Sequence, residues 1–158
     1  EPVIFRLHKL ITVNNQWKVE YHKEFKVAQQ YQILHIADWC NNCGNCSTFC
    51  PSAGEPYKDK PHFFINKEAF ETEDKGFWLE NISGGRTLHQ KLNGKVSTLT
   101  ENNNQLIYKS GAVKLVLDKN TFKATDFEIP ESQEGFIDTE PVAIMYVLLQ
   151  AAGSLMQL

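Results

Sequence analysis

Every cysteine of this chain, Cys40, Cys43, Cys46 and Cys50, falls within one short segment that ends in Pro51. The two-two-three spacing before a proline is the one bacterial iron–sulfur proteins use to hold cubane clusters. Three thiolates, each separated by two residues, can wrap one corner of a [4Fe–4S] cube. The fourth lies a helical turn further on and points away from that corner, and in two-cluster ferredoxins such a residue ligates the other cluster. A four-cysteine zinc site usually takes two separated C-x2-C knuckles, and a disulfide framework spreads its cysteines along the chain. The spacing therefore favours iron–sulfur over zinc, and zinc over disulfides or free thiols.

The neighbours of the thiols have chemistry of their own. Gly44 allows a positive φ and lets backbone N–H groups approach sulfur, where hydrogen bonds stabilise the more negative, reduced state. Asn41, Asn42 and Asn45 tolerate the left-handed conformation that tight turns need. Pro51 is expected to end a helical turn through Ser47 to Phe49. Trp39 and Phe49 could screen a cluster from water, with ordinary core packing an equally good reading of each.

Around the cysteines the run ILHIADWCNNCGNCSTFCPSAGEPYKDKPHFF resembles the C-terminal iron–sulfur region of the selenate reductase flavoprotein subunit family. That family is grouped with the glutamate synthase small chain and dihydropyrimidine dehydrogenase. The resemblance is strongest from His35 to Lys60, through Cys-Gly-Asn-Cys, Phe-Cys-Pro and Tyr57-Lys58-Asp59-Lys60. It continues loosely from Phe63 to Glu80. The resemblance implies a ferredoxin-like cluster-binding unit and a parent enzyme with FAD and NAD(P)H sites. It also implies a second four-cysteine run upstream, which residues 1 to 39 lack. The expectation is then a C-terminal portion of a larger oxidoreductase, cut just after the first motif, with Cys50 completing an upstream cluster. The alternative is a single cluster held by all four cysteines.

Composition suits that reading. The chain has 158 residues, 42% of them hydrophobic, and a formal charge of −3, enough for a compact domain with a sizeable core. Sixteen basic residues against nineteen acidic ones, with no long basic run, leave no electrostatic footprint for nucleic acid. Clustered thiols point to a reducing cytoplasm. No G-x-G-x-x-G or P-loop pattern is present, so no motif marks a nucleotide site and no catalysis is expected of the fragment alone. The histidines, His8, His22, His35, His62 and His89, are scattered. His35 and His62 flank the cysteine segment, where a structural role is preferred over donation to sulfur or proton transfer. Asp38, Glu55 and Asp59 read as turn residues.

The elements that must position the motif are mostly strands. Val3 to Val13 and Gln16 to Lys23 predict a hairpin across Asn14-Asn15. Tyr31 to Asp38 reads as the strand that delivers Cys40, Pro61 to Ile65 as another, and Lys67 to Phe70 as a helical turn capped by Asn66. After Phe77 to Glu80 and the Ser83-Gly84-Gly85 break come Arg86 to Leu92, Lys95 to Leu99, Gln105 to Lys109, Ala112 to Leu117 and Thr121 to Thr125, separated by turn signals such as Asn93-Gly94. They predict an antiparallel sheet or small barrel.

Thr139 is expected to cap a helix entered by Glu140 and Pro141, and Val142 to Met156 then runs without charge. That length falls short of the roughly 20 residues a bilayer span needs, so burial against the sheet or a neighbouring subunit is preferred to a membrane anchor. The expected class is α+β: a small ferredoxin-like cluster-binding segment joined to a β-rich antiparallel sheet or small barrel, with a C-terminal helix. The expected division is 1–82 for the iron–sulfur region with its hairpin and 83–158 for the β-rich region. The function read from the chain is an electron-transfer module with a [4Fe–4S] cluster, its partners being the remaining domains of the parent or redox subunits, with self-association through the C-terminal helix also open. The runner-up is a zinc-stabilised interaction domain without redox activity.

Overall fold

The structure, a computed structural model, describes residues 2–28, 34–49 and 60–155. Strands β1 (Val3–Val13) and β2 (Gln16–Val27) pair antiparallel across Asn14 and Asn15, whose φ values of 52° and 61° are those a two-residue turn of this twist demands. β2 continues past Lys23 because its ladder with β1 runs on to the Val3–Val27 pair. The other edge of β1 takes a short strand from far along the chain, β11 (Phe136–Asp138), making the three-stranded sheet β11-β1-β2.

The second sheet has eight strands in the order β10-β9-β8-β7-β6-β5-β4-β3. They are β3 (His35–Ile36), β4 (His62–Phe64), β5 (Lys75–Ile82), β6 (Gly85–Leu92), β7 (Lys95–Glu101), β8 (Gln105–Ser110), β9 (Val113–Asp118) and β10 (Ala124–Glu128). From β5 onward each strand pairs antiparallel with the next, through tight turns such as Asn93-Gly94, where both residues have positive φ. The position between residues 82 and 83 falls at the tip of the β5–β6 hairpin, and eight register pairs join its two sides.

β3, β4 and β5 are parallel to one another. Parallel neighbours cannot be joined by a tight turn, so each pair requires a crossover. Helix α2 (Lys67–Thr72) lies in the β4–β5 crossover, with the side chain of Asn66 accepting from the N–H of Glu68 at 2.9 Å, as expected of its cap. The cysteine segment occupies the β3–β4 crossover, with a 3-10 turn (Ala37–Trp39) and helix α1 (Asn45–Phe49).

Three further expectations change. The strand read over Tyr31 to Asp38 is His35–Ile36 in the described part, residues 31–33 lying outside it. It ends there because β3 pairs only along the short β4, and the chain must then turn out of the sheet to cross over. The strand read over Thr121 to Thr125 begins instead at Ala124, because the Asp118 carboxylate accepts from the N–H groups of Asn120 and Thr121 at 2.9 and 2.8 Å and holds a turn there. Those two hydrogen bonds favour the ionised carboxylate and hold its pKa below the usual range. The third concerns the cap of the long helix α3 (Glu140–Leu155). Asp138, not Thr139, accepts from the N–H of Glu140, at 2.9 Å, while the Thr139 hydroxyl donates to the His8 carbonyl at 2.6 Å. Pairing of β11 with β1 brings Thr139 into the interior, where its hydroxyl needs a partner.

The core is built on one transverse row. Leu79, Leu88, Leu99, Tyr108, Leu115 and Phe127 are successive register partners across six strands from β5 to β10. α3 meets β5, β6, β7 and β1, and its Val142, Ala143, Met145, Leu149 and Ala152 join the buried cluster. This is the burial against the sheet that its apolar sequence calls for. Among the described residues, no helix is long and apolar enough to cross a membrane.

A polar joint holds the far end of α3. Glu101 of β7 binds Arg86 at 3.2 Å and Lys119 at 3.3 Å, and it accepts from the side-chain amide of Gln150. A Cβ at Gly153 would meet the Arg86 guanidinium, the flexible end of a side chain that would have to shift to admit it. Replacing Leu149, fully buried, by Ala is expected to lower unfolding free energy by about 2–5 kcal/mol. Ile144→Ala on the same helix, at a side chain 42% exposed, should cost less than about 1 kcal/mol. Denaturant titration of both variants checks the orientation of the helix.

Candidate functional site

The crossover that bears the cysteines starts from β3, the edge strand of the large sheet. The 3-10 turn after it is tied down twice. The N–H of Cys40 donates to the Ala37 carbonyl at 3.2 Å, and the Asp38 carboxylate accepts from the N–H of Ile65, just past β4, at 2.6 Å. Asp38 thus has a structural task, closing the crossover on itself, in keeping with its reading as a turn residue.

Beyond Cys40 the loop is shaped by its own polar groups. Asn42 and Gly44 have positive φ, 56° and 80°, as expected of the residue types placed there. The Asn41 side chain accepts from the N–H of Cys43 at 3.2 Å, and the N–H of Asn42 donates to Cys40 Sγ at 3.3 Å. An N–H directed at sulfur would stabilise the negative charge that a cluster places on it. Cys40 is half-buried, whereas Cys43 and Cys46 are exposed, and all three are free. Cys50 lies outside the described residues, as do Pro51, Glu55 and Asp59.

The donor set therefore suits thiolate-bound iron in residue type, spacing and backbone freedom. The sulfurs themselves are not gathered: among the described residues no group of three or more Cys, His, Asp or Glu side chains is placed to hold a metal ion. Trp39 is 77% exposed, so core packing does not describe it. The side chain of Phe49 lies outside the described residues.

Two histidines meet at the base of the crossover. His35 and His62 are register partners on β3 and β4, with ring centroids 4.4 Å apart at 65°. Both ring nitrogens of His35 and Nε2 of His62 are buried with no hydrogen-bond partner among the described residues. Burial, and then repulsion from His62, hold the His35 pKa below its ordinary value. The sequence marked both as flanking residues, but only the parallel β3–β4 register brings them into contact.

Over 53 residues, 33% of the chain, the sequence is 43% identical to "Putative oxidoreductase YgfK" of Escherichia coli (strain K12) and, equally, to the protein of that name from Escherichia coli O157:H7. The matched segment amounts to 5% of the length of either relative. No family model matches the chain, and no solved structure matches it. The chain is thus similar, over a third of its length, to part of an oxidoreductase.

The histidine pair generates a test. An unfolded imidazole keeps its ordinary pKa of about 6.5 and takes up protons more readily than the folded His35. The stability contributed by neutral His35 is complete above that value and is lost as pH falls through it toward the lower folded value. Unfolding free energy measured between about pH 7.5 and about pH 5 should decline with acidification, and His35→Gln should decline less steeply. Parallel profiles for the two proteins would show that His35 carries none of the slope.

Proposed function

We propose that this chain is an electron-transfer module of a multidomain flavin- and iron–sulfur-containing oxidoreductase, with a [4Fe–4S] cluster held by thiolates of Cys40, Cys43 and Cys46, and with Cys50 supplying a thiolate to a neighbouring cluster of the parent. The observation that carries the reading is the cysteine spacing, closed by Pro51, in a segment of a chain whose partial relatives are named as oxidoreductases. When bound, such a cluster supplies one-electron transfer at a potential set by burial, charge and hydrogen bonds to its sulfurs.

The residues of this chain would contribute in distinct ways. Cys40 sits on the anchored side of the loop, and the N–H of Asn42 stabilises negative charge on its sulfur. Cys43 and Cys46 are exposed on a segment where Asn42 and Gly44 occupy left-handed conformations, so the backbone has room to draw their sulfurs inward as a metal site forms. FAD and NAD(P)H belong, on this proposal, to other domains of the parent, which are also the expected electron partners. A reducing cytoplasm suits clustered thiols.

Anaerobic reconstitution with iron and sulfide should give a brown protein with a reducible paramagnetic signal. Cys43→Ser should sharply reduce bound iron, because no cysteine remains in reserve. Iron and acid-labile sulfide unchanged by the substitution would overturn the assignment. A colourless, redox-silent protein that takes up zinc through the same cysteines would instead select the zinc-stabilised interaction domain.

A further inference from the structure

The histidine pair at the base of the cysteine crossover lacks the bonds that a structural histidine makes. Both ring nitrogens of His35 and Nε2 of His62 are buried without a hydrogen-bond partner among the described residues, although buried polar atoms are almost always paired. The rings nevertheless touch, with centroids 4.4 Å apart at 65°, because the parallel register sets His62 beside His35 and the His35 N–H donates to the Pro61 carbonyl at 3.0 Å. Strand pairing thus brings two imidazoles together and gives these nitrogens nothing to bind. A neutral imidazole in such a place keeps one ring nitrogen as an empty acceptor, the atom that takes up a proton.

The pair lies between solvent and the thiols. His62 lines a cleft of about 210 Å³ together with Lys60, Lys75 and Lys91. His35 precedes Cys40 by five residues, and the 3-10 turn between them folds the Cys40 N–H back onto the Ala37 carbonyl at 3.2 Å. Five residues reach at most about 18 Å when extended, and the turn shortens that reach. The charges around the pair are mostly positive. Lys60, Lys75 and Lys91 share the cleft with His62, and Lys26 of β2 shares a second cleft with Pro61. Asp38 of the crossover is engaged with the Ile65 N–H, Lys67 and Glu71 of α2 pair with each other, and α3 carries no charge after Glu140. These cations and the burial of the rings disfavour a proton on either imidazole until negative charge arrives nearby.

From these features we infer that the His35–His62 pair is a redox-linked proton site: it takes one proton from solvent, by way of His62 at the cleft, when one electron enters the cluster, and returns it when the electron leaves. The inference rests on the electron-transfer reading above and adds the residues that balance its charge. The electron stays on the cluster, the proton goes to an imidazole nitrogen, and neither ring is oxidised or reduced. An added electron makes the cluster more negative, and in the protein interior, where salt screens little, that charge favours imidazolium. The protonated ring gains a second N–H, which gives the pair the means to make the hydrogen bond it lacks. Reduction is then easier at low pH. The potential rises as pH falls between the pKa of the pair in the reduced protein and its lower pKa in the oxidised protein, and is constant outside that range.

Redox titration of the anaerobically reconstituted 158-residue chain between about pH 5 and about pH 8.5 tests the inference. The midpoint potential should rise as pH falls, by at most about 59 mV for each tenfold rise in proton concentration. His35→Gln and His62→Gln should each flatten that dependence at unchanged iron content, while His8→Gln, on the small sheet, should keep it. Imidazole titration by NMR in the cluster-free chain reads the pair directly, and replacing either histidine by Gln should shift the titration of the other. A brown protein whose potential does not move with pH overturns the inference alone. So do pair variants that keep the parental slope, or imidazole titrations indifferent to replacement of the partner. A chain that binds no iron overturns the electron-transfer reading, and this inference with it.

Discussion

The row of apolar side chains from Leu79 to Phe127 is the feature on which the rest of the molecule depends. Each antiparallel pairing in the meander sets one residue of the row opposite the next. A shift of one residue in any strand would turn its core residue to the other face, so burial of this row fixes five registers at once. Fully burying a leucine is worth roughly 1.5–3 kcal/mol. Four buried leucines in the row, with α3 packed nearby, therefore outweigh by a wide margin any single surface ion pair, which contributes at most about 1 kcal/mol.

Apolar burial sets the sheet but does not by itself fix where a helix lies along it. The contacts of Glu101 with Arg86, Lys119 and Gln150 do that at one end, and the Thr139 hydroxyl on the His8 carbonyl does it at the other. Glu101 is largely buried, and a carboxylate so placed needs several donors to offset its desolvation. The same residue links the helix to the turn after β9 through Lys119.

The cysteine crossover stands in contrast. It hangs from β3, a strand of two residues at the sheet edge, and is stitched to β4 by the Asp38–Ile65 contact and by the His35–Pro61 backbone bond. In its described part, local hydrogen bonds join asparagines and cysteines between Cys40 and Cys43. The half-buried histidine pair lies where this crossover leaves the sheet.

Local chemistry was legible in the amino-acid sequence wherever the signal and the structure share the same few residues. The Asn14-Asn15 and Asn93-Gly94 turns, the Asn66 cap, the strands of the meander and the left-handed Gly44 all follow from local backbone preferences. The cysteine spacing, too, belongs to the sequence alone. Tertiary structure decided what no local pattern encodes: the parallel β3–β4–β5 arrangement, the pairing of β11 with β1, and the diversion of Thr139 from the helix cap to His8. It also decided that His35 touches His62 and that His62 shares a cleft with Lys75 and Lys91. The physical reason is the same in each case. Turn and cap preferences are energies of adjacent residues, whereas strand partners and cleft walls are chosen by which apolar surfaces the whole chain can bury together.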